Sequence, residues 1–344
     1  MKHSNHQKTQ TPSITPSLTF GEYANAVIEE QYCSIIKREP KVLADESPEH
    51  LHQMRVGTRR LRTALQVFSA AIALPAIASE KQVGALARVL GELRDLDVQI
   101  ADLQTTYRPQ LKGKEKDLLD DTIRDLKKER RQVFVTVENT LQRSRYRNFK
   151  AAYEQWLDQP QFTPLAQLPI VTLLPDLLSP LLSELLLHPG WLVSANYASD
   201  AEGETLHNLR KAFKHVRYQA EFFAPFYGEP FRQWINEIKS LQEKLGKLQD
   251  SHVLQELLAA HLPKRAELPT LQKSIQHTRK DALADWDDIR QKYLDPAVRW
   301  QLHQMLLTPA LLSHPTPDKN GLEPPAPAKT SAETSVKLLS NTQK

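Results

Sequence analysis

Glycine and cysteine are both scarce in this sequence. Only 10 glycines occur among 344 residues, fewer than a β protein built on tight turns would need. Cys33 is the single cysteine, so we expect no intramolecular disulfide, no cysteine metal cluster and a location in the reducing cytoplasm. Leu, Gln, Glu, Lys, Arg and Ala dominate the long segments, and all of them favour helices. The composition therefore predicts a mainly α-helical protein.

Uninterrupted apolar runs are also lacking. Residues 1–19 have no apolar centre of the kind a secretion signal needs, and their Ser, Thr and Pro content predicts a disordered segment. Composition likewise predicts disorder for residues 308–344. The most apolar stretch, residues 168–193, is interrupted by four prolines and two acidic residues, which disfavours a membrane span. We expect no membrane partner.

Positive charge, in contrast, is concentrated in one place. The formal net charge of the whole chain is +4, yet the segment HQMRVGTRRLR, residues 52–62, holds four arginines and one histidine with no acidic residue. A solvent-exposed helix face normally mixes both signs of charge. The basicity is therefore local, which predicts a binding patch for an anionic ligand rather than a generally basic surface.

Helical geometry gathers most of these cations on one side. At about 100° per residue, four of them share a sector of about 80° and Arg60 lies off it. Those four are His52, Arg55, Arg59 and Arg62. The apolar residues of the segment gather near the opposite direction, at Met54, Leu61, Leu65 and Phe68. The segment is therefore predicted to be an amphipathic helix with its cations away from the core.

The same pattern recurs 155 residues later, in HNLRKAFKHVRYQAEFF, residues 207–223. His52 aligns with His207, Arg55 with Arg210, and Phe68 with Phe223. With no gap, the same shift aligns LGELRDLDV, residues 90–98, with LGKLQDSHV, residues 245–253. Two matches in one register indicate a duplicated unit.

Helical periodicity and proline positions predict the remaining elements. In the first copy we expect helices at 21–38, 46–72, 80–107 and 112–158, with a break near 145–148. In the second copy we expect helices at 172–188, 203–224, 230–260 and 267–306. The run VFVTV at 133–137 has strand propensity, but its flanking pattern is helical, so we assign it to a helix.

The spacing H-x-x-R-x-x-x-R-x-x-R followed by L-G-x-x-R-D-x-D-V resembles the CHAD family, the conserved histidine α-helical domain. The resemblance covers residues 20–307, with halves at 20–158 and 165–307. It implies an all-α fold of two four-helix bundles related by a pseudo-twofold axis, with the two basic helices lining a central positive cavity. It also implies binding of inorganic polyphosphate, with no catalytic activity and no cofactor.

The resemblance carries a set of polyphosphate ligands onto this sequence by motif position. In the first half they are His52, Arg55, Arg59 and Arg62, with Arg60 reaching round from the flank. In the second half they are His207, Arg210, Lys214 and Arg217, with Lys211, His215 and the Tyr218 hydroxyl beside them. The LG helices add rim candidates at Arg88, Arg94, Lys244 and Lys247. Gln249 replaces Arg94 and His252 replaces Asp97 in the second copy, so these positions need not act symmetrically.

Structural roles are also open to residues of these motifs. His52 and His207 can pack or hydrogen-bond between helices as well as donate to phosphate. Asp95 and Asp250 are expected either to brace arginines of the neighbouring helix or to bond to nearby backbone groups, while Gly91 and Gly246 permit close helix contact. A metal site at the histidines is disfavoured because cationic side chains surround them and thiolates are lacking.

Two further classes of function remain open. An enzyme is disfavoured because the sequence contains no G-x-x-x-x-G-K-[ST] loop, no H-E-x-x-H and no E-x-E-x-K strand motif. Catalysis would have to be histidine phosphotransfer or a reaction without a recognised motif. A nucleic-acid binder would interleave aromatic side chains with its cations, but Tyr218 is the only aromatic on the cationic sector of either basic helix. Polyphosphate, which needs cations alone, fits the pattern better.

Overall fold

The computed structural model describes residues 13–197, 199–263 and 268–310. All named elements in these residues are helices, which confirms the all-α prediction. The first half contains α1 (Phe20–Ile36), α2 (Glu39–Leu43), α3 (Pro48–Val67), α4 (Glu80–Asp102), α5 (Gly113–Gln142) and α6 (Ser144–Asp158). The second contains α7 (Ile170–Leu186), α8 (Asp200–Phe223), α9 (Glu229–His261), α10 (Pro269–Ala282), α11 (Trp286–Leu294) and α12 (Pro296–Leu307). The segments predicted to be disordered lie outside the described residues except for 13–19 and 308–310.

Local sequence signals fix where several helices begin. Thr19 caps α1, because its hydroxyl accepts from the Glu22 backbone N–H while the Glu22 carboxylate accepts from the Thr19 N–H. Ser199 and Glu202 form the same capping box at α8. Ser47 caps α3, and Pro48 occupies the first helical position, where its missing N–H costs nothing. Both basic helices therefore start on strong signals.

Some predicted boundaries were wrong. The helix predicted at 80–107 ends as an α-helix at Asp102 and continues as one wide turn from Leu103 to Tyr107. The expected break in the fourth helix falls at Arg143, slightly before the predicted position. The last helix, predicted as continuous over 267–306, is three helices, and Asp295 caps the third of them ahead of Pro296.

The order in which neighbouring helices pack is the same in both halves. In the first half α1 packs on α3, α3 on α4, and α4 on α5. In the second half α7 packs on α8, α8 on α9, and α9 on α10. Each basic helix, α3 or α8, is thus held between an apolar helix and the helix that carries the LG motif.

The buried side chains do not divide into one core for each half. The larger core cluster takes residues from helices of both halves. A smaller cluster joins the end of α4 and the start of α5 to the end of α9 and α10, for example through Leu96, Ile123, Leu258 and Ile275. Two cores that each span the halves fix the halves against one another.

Aromatic side chains connect the two basic helices beneath their cations. Phe68, which caps α3, lies 6.1 Å from the ring centroids of both Phe222 and Phe223 of α8. Phe68 and Phe223 are equivalent residues of the repeat, and they contact each other. A twofold relation between halves would produce this kind of contact.

One described helical segment, Ile170–Leu192, is long and apolar enough to cross a membrane, with a mean hydropathy of 1.7 and 44% of its most apolar window buried. It contains α7, whose apolar residues enter the larger core cluster beside α8 and α12. This is the packing of a core helix.

Candidate functional site

The predicted two-faced character of α3 is confirmed on its apolar side. Met54, Leu61 and Phe68 are fully buried and Leu65 is nearly so. The cationic side remains accessible to solvent, with the Arg55 side chain 34% exposed. α3 therefore presents its charged sector at the surface while its other face anchors it in the core.

The two basic helices meet through their charged residues as well as through their aromatic ones. The Arg59 guanidinium of α3 lies 4.2 Å from the ring centroid of Tyr218 in α8, and the Arg217 guanidinium lies 4.5 Å from the same centroid. Arg60 of α3 reaches across to the Glu221 carboxylate at 2.9 Å. Residues from opposite halves of the sequence thus share one cationic surface.

The pKa of Lys214 reflects how closely the cations lie together. Burial, followed by the charges of Arg210, Arg59 and Arg55, lowers the pKa of Lys214 to about 8. Two of these arginines belong to α3 and one to α8. Burial also lowers the pKa of Arg59, and Arg55 and Arg217 add to that effect. We use the term cationic centre for four residues, Arg55, Arg59, Arg210 and Lys214.

The LG helices brace the arginines of the cationic centre in the same manner in each half. Asp95 lies 3.5 Å from Arg55, and Asp250 lies 4.0 Å from Arg210. A Cβ at Gly91 would sit 3.4 Å from the Arg55 Nε, and one at Gly246 would sit 3.5 Å from the Arg210 Nε. The interpretation of both aspartates as braces is confirmed. Each glycine faces the side chain of an arginine on the neighbouring helix, and not only the backbone of that helix.

Both predicted histidines lie next to this centre, and both are partly buried. Burial and then the charge of Arg94 lower the pKa of His52. Burial and then the charges of Lys211 and Arg210 lower the pKa of His207. A lowered pKa keeps both imidazoles neutral at pH 7. In the free protein they can therefore donate hydrogen bonds, and a bound polyanion would favour their charged form.

Two guanidinium groups of the cationic centre each have an Nε–H that donates no hydrogen bond within the described part of the chain. The Nε atoms of Arg59 and Arg210 are buried and have no hydrogen-bond partner among the described residues. Buried donors in folded proteins nearly always have a partner. An anion with several oxygens, placed on the cationic centre, would supply one to each.

Some of these cations have acidic neighbours that the basic segments themselves do not contain. Arg62 pairs with Glu80 of α4, and Glu221 of α8 pairs with both Arg60 and Arg217. The motifs do not include these acids, because one lies on another helix and the other lies just beyond the motif. Counting Asp95 and Asp250 as well, four carboxylates face the eight Lys and Arg side chains predicted on α3 and α8. The surface retains an excess of positive charge, centred on Arg59 and Lys214.

Several predicted residues lie apart from the cationic centre or are engaged elsewhere. His215 bonds to Gln219 and lies 3.9 Å from Glu184 of α7. Lys244 is paired with Asp285. Arg88 and Lys247 are exposed on α4 and α9. Arg94 lies close enough to His52 for its charge to lower the pKa of that imidazole.

Glu221 is the main residue that the sequence prediction missed. It lies four positions after Arg217 in α8, a spacing at which a helix brings opposite charges together. That signal was present in the sequence. Its second partner, Arg60, is 161 positions away, and only the packing of α3 on α8 brings the two together. Among the described residues, no group of three or more His, Cys, Asp or Glu side chains could hold a metal ion.

Comparison with known proteins identifies a family and solved structures of similar fold. The family model described as the CHAD domain matches residues 26–259. The crystal structure of the CHAD domain from the plant Ricinus communis is 23% identical, with a TM-score of 0.53, covering 87% of this chain and 95% of that one. PptA from Streptomyces chartreusis is 16% identical, with a TM-score of 0.54, covering 83% of this chain and all of that one. No curated protein sequence matches the chain. At these identities the two structures establish the fold alone.

Proposed function

The chain belongs to the CHAD family, and we propose that it binds inorganic polyphosphate through the cationic centre without catalysing a reaction. Some members of this family bind polyphosphate. The observation that carries the proposal for this chain is the convergence of Arg55 and Arg59 of α3 with Arg210 and Lys214 of α8.

Polyphosphate suits such a surface because it is a flexible chain with about one negative charge per phosphate. A ligand of this kind needs cations spread along a path, and the two basic helices provide one that runs from one half to the other. Arginine can give two parallel hydrogen bonds to a phosphate and stays charged at any relevant pH. The unpartnered Nε atoms of Arg59 and Arg210 support this role.

A nucleic acid is the second candidate ligand, and the position of Tyr218 argues against it. Single-stranded nucleic acids gain affinity by stacking bases on aromatic rings. Tyr218 is buried, and the guanidinium groups of Arg59 and Arg217 already lie over its ring. The one aromatic on the cationic sector is therefore engaged with protein cations rather than open to a base.

The proposal also covers where the protein acts and two less favoured functions. We propose a cytoplasmic protein that polyphosphate binding targets to polyphosphate granules, without a membrane partner and without a cofactor. Histidine phosphotransfer is less favoured, because His52 and His207 lie among cations that would hold a phosphate chain noncovalently. A metal-binding role is disfavoured because the same cations would repel a metal ion.

Competition between polyanions tests the proposal. Titration calorimetry with length-fractionated polyphosphate and with single-stranded RNA, at equal phosphate concentration and matched salt, should give tighter binding of polyphosphate. RNA that binds equally well, or displaces polyphosphate at equal phosphate concentration, would overturn it.

Removing two cations from α3 tests the site itself. We expect the double variant Arg55→Ala/Arg59→Ala to lose about tenfold or more in polyphosphate affinity, because the loss of even one charge-assisted hydrogen bond costs about 1.5–3 kcal/mol. The control Arg124→Ala/Arg131→Ala removes the same charge from exposed positions on α5 and should lose far less. Equal losses in the two double variants would show that net charge, and not this site, governs binding. Circular dichroism would establish that helicity is unchanged.

A further inference from the structure

A cavity of about 590 Å³ opens beside the second basic helix. It lies between the start of α8, the middle of α9 and Arg279 of α10. His207 lines this cavity, and the same imidazole lies close to Arg210 and Lys211. The cavity and the cationic surface therefore adjoin at His207. Its volume is within the range of small-molecule sites, about 300–1,000 Å³.

The walls of the cavity are unlike the cationic surface. Leu245, Leu248 and the partly buried Tyr197 give it an apolar side, and Arg279 donates a hydrogen bond to the Tyr197 hydroxyl at 3.3 Å. On the other side stand the carboxylates of Asp200 and Glu204. These carboxylates repel a phosphate but accept hydrogen bonds from hydroxyl and amino groups. A neutral group with a flat apolar face and several donors fits this lining.

The corresponding place in the first half is closed. There Asp97 is buried and bonds to Arg130 at 2.8 Å, while Arg130 also makes two 2.7 Å bonds to Asp45. The shift of 155 residues puts His252 at the place of Asp97, and the His252 side chain is 60% exposed and lines the cavity. The same shift puts Asp285 at the place of Arg130, and Asp285 pairs with Lys244 instead. In the second half, Arg279 lines the cavity and donates to Tyr197 rather than joining two carboxylates.

We propose that this cavity holds the nucleoside of a nucleoside polyphosphate whose phosphates lie on Arg210, Lys211 and Lys214. This inference rests on the proposed function, because the same cations bind the phosphates in both cases. The base would lie against Tyr197 and the leucines, and the ribose hydroxyls and base amino groups would donate to the carboxylates. The carboxylates would in turn keep the phosphates out of the cavity and on the cations.

ATP and inorganic tripolyphosphate separate the cavity from the cations, since both carry three phosphates. In titration calorimetry with EDTA and matched ionic strength, wild-type protein should bind ATP about tenfold more tightly than tripolyphosphate. His252→Trp places a large side chain at the mouth of the cavity from an exposed position, so the fold should persist. This variant should lose the preference for ATP while its affinity for tripolyphosphate changes less than about twofold.

Gln233→Trp, at an exposed position of the same helix away from the cavity, is the matched control and should keep the preference. The inference is overturned if wild-type protein binds tripolyphosphate as tightly as ATP, or if His252→Trp weakens both ligands equally or neither. Long-chain polyphosphate, measured alongside, distinguishes the two proposals. Binding of long chains without a preference for ATP rejects the cavity assignment alone, whereas failure of every anion to bind rejects the proposed function as well. Binding of ATP without binding of long chains rejects polyphosphate as the ligand and leaves the cavity assignment standing.

Discussion

At the scale of single residues, the cations of the site fall into two groups. Arg60, Arg62 and Arg217 have carboxylate partners from other turns or helices, which hold their guanidinium groups in place. Arg59 and Lys214 have burial and like charges around them instead. Placing a lysine among arginines costs the folded state free energy, which a bound polyanion would offset. The helical sector predicted which cations share one face of the helix. Which of them have carboxylate partners depends on acids such as Glu221, which only the packing brings close.

Because of Lys214, polyphosphate affinity should decrease as pH rises. Its pKa in the free protein is about 8, and a bound polyanion favours the charged ammonium and raises that pKa. The contribution of Lys214 to affinity should therefore be constant well below pH 8, where the ammonium is charged in both states, and fall as pH rises through 8. The fall should amount to about tenfold for each unit by which the ligand raises the pKa.

Fluorescence or calorimetric titrations between pH 7 and pH 9.5 would measure this fall. Lys214→Arg provides the control, because arginine stays charged throughout this range and the affinity of the variant should be nearly flat. A fall of the same size in both proteins would mean that Lys214 does not contact the ligand.

At the scale of helices, each LG motif contacts an arginine of the basic helix that precedes it in the chain. Gly91 and Gly246 face Arg55 and Arg210, and Asp95 and Asp250, one turn further along, lie near the same two arginines. The sequence predicted the bracing role of the aspartates, whereas the glycines were expected only to permit close helix contact. The helices themselves were also predictable from periodicity. Their ends were less so, because Asp295 and Pro296 divide a segment whose apolar pattern runs on without interruption.

Substitutions at Gly91 should separate helix stability from arginine position. A Cβ there would lie in ordinary contact with Arg55, so Gly91→Ala should fold normally and gain up to about 1 kcal/mol in free energy of unfolding from helix propensity. Gly91→Leu should instead displace the guanidinium and weaken polyphosphate binding about tenfold or more, the effect of losing one charge-assisted hydrogen bond. Thermal unfolding and polyphosphate titration of both variants would check this. If Gly91→Leu bound as tightly as Gly91→Ala, Arg55 would not act from its position beside Gly91.

At the scale of the whole molecule, the two halves form one structure rather than two adjoining ones. Both core clusters take side chains from both halves, and equivalent residues Phe68 and Phe223 touch beneath the basic helices. The internal repeat was visible in the sequence, and family membership was predicted from its motifs. The crossing of α3 on α8 was not visible from spacing, because it depends on contacts such as Arg59 on Tyr218, between residues 159 positions apart. The second-half cavity was equally hidden, since residues of α8, α9 and α10 line it and only the packing brings them together.

The stoichiometry of polyphosphate binding tests most directly whether the two basic helices form a single site. Calorimetry should give one chain per protein for the wild type, for Arg55→Ala/Arg59→Ala and for Arg210→Ala/Lys214→Ala, with each double variant weaker by about tenfold or more. Two independent sites in the wild type, of which each double variant loses one while the other keeps its affinity, would contradict a shared site.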